Sequence, residues 1–165
     1  MRYHNIEKNS MMNGTGLRSV LFVSHCPHRC SCCQNKETWS KDSGIEFEEK
    51  DYIELRDSLK PNYISGLTLS GGDPLSNFNR EDVLGLLKRL FEDGVMKDKT
   101  VWLYTGYDWE DICDLEIMKY IDVLVDGKFV SKLASLKYKW AGSTNQRVID
   151  VKKSLEQNKI ILFED

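Results

Sequence analysis

Four apolar, β-branched segments recur along the chain, and each runs directly into a polar or glycine-bearing segment. Ser19–Ser24 (SVLFVS) leads into a cysteine loop, and Ile64–Ser70 (ISGLTLS) into Gly71-Gly72-Asp73-Pro74. Thr100–Thr105 (TVWLYT) leads into Gly106-Tyr107, and Val123–Val125 into Asp126-Gly127-Lys128. Short apolar runs of this make-up read as buried strands. Helical patterns lie between them. Glu48–Lys60 carries Tyr52, Ile53, Leu55 and Leu59 at near-helical spacing and stops at Pro61. Asn79 reads as an N-cap, with Asp82 three residues on. The helix after it carries Val83, Leu84, Leu86, Leu87, Leu90 and Phe91, and Gly94 is placed for its C-terminal cap. Trp109–Tyr120 reads as a third helix. Beyond Lys128 the pattern weakens, with Arg147–Val151 and Ile160–Phe163 as terminal strands and a short helix between them.

Strands alternating with helices predict an α/β fold with mostly parallel strands and helices covering a face. Sites in such sheets lie beyond the carboxyl ends of the strands, so the four polar segments are expected to meet at one edge. No linker or repeat divides the chain, and its 165 residues fit a single domain over residues 1–165.

The cysteine loop, Cys26-Pro-His-Arg-Cys30-Ser-Cys32-Cys33, puts four of the five cysteines into eight residues. An odd count with four clustered is not a disulfide framework, and the lone Cys113 reads as a small buried hydrophobe. No apolar run approaches the ~20 residues of a membrane span, and the first residues lack a signal-peptide core. The expected compartment is the cytoplasm, where thiols stay reduced. A net charge of −3, from 23 basic and 26 acidic residues, gives no reason to expect a nucleic-acid or membrane partner.

Read as Cys26-x-x-x-Cys30-x-x-Cys33, the loop offers three ligands and no obvious fourth. Structural zinc wants four, and only Cys32, His25 or His28 could complete the set. An iron–sulfur cubane is larger and is wrapped well by three thiolates on one loop, with one iron left open. Spacing favours the cluster over zinc, and it leaves Cys32 as an alternative to Cys33. A simple electron-carrying ferredoxin is disfavoured, because it needs a fourth cysteine, and Cys113 is followed by Asp114 rather than proline. An open iron can instead act as a Lewis acid for a small molecule bearing an amine and a carboxylate. Gly71 and Gly72 allow close backbone approach to such a ligand, and Asp73 can accept from its ammonium.

These residues resemble those of the radical S-adenosylmethionine superfamily, which carries the three-cysteine motif and a Gly-Gly-acid-Pro segment. More narrowly, the chain is similar to the family of anaerobic ribonucleoside-triphosphate reductase activating proteins. The matching segments are Asn13–Arg18, Leu21–Ser24, Asn35-Lys36-x-Thr38-Trp39, Leu69–Leu75, Trp102-x-x-Thr105-Gly106-Tyr107, Val125–Phe129 and Trp140-x-Gly142-Ser143-x-Asn145-Gln146.

The resemblance implies a shortened, open (β/α) partial barrel. It implies a [4Fe–4S] cluster on Cys26, Cys30 and Cys33, whose open iron takes the amine and carboxylate of S-adenosylmethionine. Gly71, Gly72 and Asp73 would line the amine, and Cys32, Cys33 and Gln34 would pass the adenine. Thr105, Asp126 and Lys128 would reach the carboxylate or ribose. The implied partners are reduced flavodoxin as electron donor and the large reductase subunit, on which a glycyl radical is generated; homodimerisation is left open. Where the family pattern has aromatics beside the third cysteine, this chain has Cys32 and Gln34. The rival readings are another small radical S-adenosylmethionine enzyme (a different glycyl-radical activase or a deazaguanine-forming enzyme) and a non-catalytic zinc knuckle.

Overall fold

The computed structural model describes residues 1–165. The elements are β1 (Arg2–Ser10), β2 (Leu17–Val23), β3 (Ile45–Glu46), α1 (Glu49–Leu59), β4 (Ile64–Gly71), α2 (Arg80–Glu92), β5 (Thr100–Tyr104), α3 (Trp109–Ile112), β6 (Val123–Asp126), β7 (Arg147–Asp150) and α4 (Val151–Gln157). The strands form one sheet in the order β3-β1-β2-β4-β5-β6-β7. The sheet is open, since the edge strands β3 and β7 are not neighbours.

The four strands expected from the apolar runs are its centre. β2, β4, β5 and β6 pair in parallel. The expectation of mostly parallel strands needs correction at the edges, where β1, β3 and β7 are all antiparallel to their neighbours. β1 itself was not expected. Its sequence RYHNIEKNS has only Tyr3 and Ser10 buried, so pairing with β2 rather than an apolar pattern makes it a strand. Ile160–Phe163 is not a full strand either. It touches β7 through one bridge, Ile149 to Leu162.

Side chains alternate across the sheet with period two. Leu21, Val23, Leu67, Leu69, Val101, Leu103, Leu124 and Ile149 face the helices and make the core with Leu55, Leu59, Leu86, Leu87, Leu90 and Ile112. Each such side chain contributes about 1.5–3 kcal/mol by leaving water. α1 starts where Asp51 accepts from the Glu48 amide at 2.8 Å, and it ends before Pro61. α2 ends as predicted, with Gly94 in the left-handed region at φ 74°. The third helix is shorter than predicted: α3 stops at Ile112, and a 3₁₀ turn covers Glu116–Tyr120. Ile112 and Ile117 are five residues apart, so one continuous helix would set them some 140° apart. The break lets both enter the core.

The opposite face carries Arg18, Thr68 and Trp102, all buried. Trp140 and Phe163 close over Trp102, with ring centroids 5.6 and 5.2 Å away. Arg18 has no carboxylate partner. Its donors go to the Thr68 and Thr100 hydroxyls and to the carbonyls of Thr15, Leu67 and Thr100. Burial lowers this guanidinium to about 10.

Candidate functional site

The four polar segments meet at one sheet edge around a cavity of about 270 Å³. β2 delivers Cys26, Cys30, Cys33 and Gln34; β4 delivers Ser70, Gly71, Gly72 and Asp73. β5 delivers Tyr104, Thr105 and Gly106, and β6 delivers Gly127. Cys32 is exposed, sits in the left-handed region at φ 58°, and does not line the cavity. Lys128 is also exposed and outside the lining.

Asp126 is buried and faces away from the cavity into a polar cluster. It accepts from the Trp109 amide at 2.8 Å and from Arg147 Nη2 at 2.5 Å. Arg147 also binds Glu110, at 2.8 Å. The Asp126 carboxylate therefore starts α3 and ties β6 to β7.

The Gly-Gly-Asp-Pro segment is built for contact with the cysteine loop. A Cβ on Gly71 would lie 2.7 Å from the Val23 amide nitrogen, and one on Gly72 would lie 2.4 Å from the His25 carbonyl. Both glycines let the end of β4 approach the root of the cysteine loop, and the amides of Gly72 and Asp73 donate to the carbonyls of Val23 and His25 at 2.7 Å. The expected close approach is to this chain's own backbone.

Asp73 is 1 % exposed and fully engaged. It accepts from the Leu75 amide (2.8 Å), the Thr105 hydroxyl (2.9 Å), the Gly106 amide (2.9 Å) and His28 Nε2 (2.7 Å). Thr105 lines the cavity, but its hydroxyl is spent on Asp73.

Asn79 precedes α2 as expected, yet it does not cap it. Its amide donates to the carbonyls of Ser24 and Asp73, at 2.6 and 2.9 Å. Asn79, read as a cap, and His28, read as a possible zinc ligand, thus have structural tasks that spacing did not show. Nothing local in the sequence shows that His28 faces an aspartate 45 positions on.

Burial pushes the Cys26 thiol up, partly offset by the amides of His28 and Arg29. A thiol ionises when a metal takes it as thiolate. No three His, Cys, Asp or Glu side chains lie close enough to hold a single ion. The three thiols do line one cavity, and three cysteines on one loop are a donor set that suits an iron–sulfur cluster. Cys113 is half-buried and packs against the core, away from this cavity.

A family model for a 4Fe-4S single cluster domain matches residues 12–149. The anaerobic ribonucleoside-triphosphate reductase-activating protein of Enterobacteria phage T4 is 43% identical over 148 residues, covering 90% of this chain and 93% of that protein. The protein of the same name from Vibrio cholerae is 41% identical over 150 residues, covering 88% and 96%. That of Escherichia coli K12 is 39% identical over 152 residues, covering 90% and 97%.

Proposed function

The chain belongs to the family of anaerobic ribonucleoside-triphosphate reductase-activating proteins, and from that premise we propose that it is a radical S-adenosylmethionine activase acting on the large subunit of such a reductase. The observation that carries the reading is the shared cavity: Cys26, Cys30 and Cys33 line it together with the ends of β4 and β5. When bound, a [4Fe–4S] cluster and S-adenosylmethionine would supply reductive cleavage of the sulfonium C–S bond, yielding a radical that generates a glycyl radical on the reductase.

This chain's residues hold and shield that chemistry. Cys26, Cys30 and Cys33 would supply three thiolates to the cluster, which would leave one iron for the methionyl amine and carboxylate. Gly71 and Gly72 would line the methionyl amine from the cavity wall, and Gln34, on the same wall, would pass the adenine. Cys32, exposed and turned away, is no ligand. Thr105 acts through Asp73. Asp126 and Lys128 lie outside the cavity lining, on either side of Gly127, which is part of it.

We read residues 1–165 as one functional domain, a shortened and open version of the radical S-adenosylmethionine barrel. An incomplete barrel leaves one side free for a protein substrate. Reduced flavodoxin would deliver the electron, and the work would be done in the cytoplasm. A homodimer is compatible with every step.

The test is anaerobic. The chain is reconstituted with iron and sulfide, incubated with S-adenosylmethionine and a strong reductant, and assayed for 5′-deoxyadenosine. Cleavage is expected, together with an EPR doublet once the reductase subunit is added. A chain that carries a verified cluster and makes no 5′-deoxyadenosine overturns the reading. Cys26→Ala, Cys30→Ala and Cys33→Ala are each expected to abolish cleavage, and Cys32→Ala to retain most of it. A dead Cys32→Ala beside an active Cys33→Ala would reverse the assignment of the third ligand.

A further inference from the structure

Beyond its root, where the Gly72 and Asp73 amides hold the carbonyls of Val23 and His25, the cysteine loop is tied to the end of β4 by a single side chain. Within residues 27–34 the backbone hydrogen bonding is local, as in the bond from the Cys33 amide to the Cys30 carbonyl at 3.1 Å. The one hydrogen bond that leaves this stretch for the segment after β4 is the 2.7 Å contact between His28 Nε2 and Asp73 Oδ2. A carboxylate only accepts, so the imidazole nitrogen is the donor.

The ring occupies a fitted slot. Its side chain is 7% exposed. Tyr107 packs edge-on against it, with centroids 4.6 Å apart and planes at 77°. Gly106 forms the floor, where a Cβ would lie 2.4 Å from His28 Cδ2. The acceptor is equally fixed. Asp73 already takes bonds from Leu75, Thr105 and Gly106. With His28, four donors occupy the roughly four lone-pair sites of a carboxylate.

We propose that His28 is a positioning residue that, through Asp73, holds the Cys26–Cys33 loop against the ends of β4 and β5, so that the three thiols face one cavity. Asp73 is then the anchor of the loop. The proposal rests on the cluster reading above. Groups that orient ligands in this way commonly set how tightly a metal centre is held, and their loss costs about 10- to 100-fold in affinity.

The experiment separates the hydrogen bond from the packing. His28→Phe fills the slot and keeps the aromatic contact with Tyr107 but donates nothing. His28→Gln carries an amide N–H toward the place of Nε2. Wild type and both variants are reconstituted anaerobically, and iron and acid-labile sulfide are counted. Iron release to an excess of a ferrous chelator is then followed by absorbance. Far-UV circular dichroism of the iron-free chains checks that all three fold.

His28→Phe is expected to fold, to load, and to release iron about 10- to 100-fold faster than wild type. His28→Gln is expected to recover most of the wild-type rate. Wild-type release from His28→Phe overturns the proposal while the cluster reading stands. Equal acceleration in Phe and Gln variants also overturns it, since ring shape rather than the hydrogen bond would then matter. A wild-type chain that takes up no iron and sulfide overturns the cluster reading, and the proposal with it.

Discussion

Gly72 shows how much one missing carbon can decide. The atom that a Cβ would meet is the His25 carbonyl oxygen, at 2.4 Å, and that oxygen is held by the Asp73 amide. Backbone cannot swing away as the end of a side chain can. Gly72→Ala is therefore expected to destabilise the chain by roughly 3 kcal/mol, at the upper end for overpacking. Gly85 is the control. It lies in α2 with nothing within 4 Å of its added Cβ, and Gly85→Ala should stabilise by about 0.5–1 kcal/mol through helix propensity. Urea midpoints of both variants test the pair; a Gly72→Ala midpoint equal to wild type would mean that β4 and the cysteine loop are not in contact. The motif around Gly72 was legible as a motif, but its task was not. Spacing marks a glycine as a close approach without saying what approaches. Here the partner lies 47 residues earlier, between 25 and 72, and only the parallel register of β2 with β4 brings it there.

At the scale of elements, Arg147 fastens three of them, binding Glu110 in α3 and Asp126 in β6 from its place in β7. The Arg147 guanidinium holds the Glu110 carboxyl down, from 4.5 to about 2. A depressed folded-state value means the pair stabilises the fold above about 4.5, and the contribution is lost as pH falls towards 2. Glu110 is 60% exposed, so screening limits the pair to under about 1 kcal/mol. Glu110→Gln should lower the melting midpoint at pH 7 by a few degrees, and the gap should narrow as the pH is lowered to 3. A gap that persists unchanged at pH 3 would show that the carboxylate charge is not its source. The elements themselves were legible in proportion to how far their apolar pattern sets them. β2, β4, β5 and β6 are buried runs and announce themselves. β1 is half solvated and owes its form to a neighbour, while the α3 region follows the core's demand for Ile112 and Ile117 rather than a helical period.

The whole molecule has two unlike sheet faces. Helices cover one; the other is covered by irregular chain, including Trp140 and Phe163 over Trp102. That cover could not be read from a sequence with weak periodicity beyond Lys128, because it is fastened by isolated bonds. The Asp150 amide donates to the Ile161 carbonyl at 2.9 Å, and the Phe163 amide to the Val148 carbonyl at 2.8 Å. Removing residues 160–165 takes away those bonds and the Phe163 ring. An edge-to-face pair adds about 0.5–1.5 kcal/mol beyond its burial. The shortened chain should thus lose about 2 kcal/mol, or roughly 4–8 °C of melting midpoint for a chain of this size. Its far-UV circular dichroism should change little, because no residue of β1–β7 or α1–α4 is removed. Its tryptophan emission should shift to the red, since Trp102 is only 1% exposed in the intact chain and would gain water. An unchanged emission maximum together with an unchanged midpoint would mean that the tail does not cover this face.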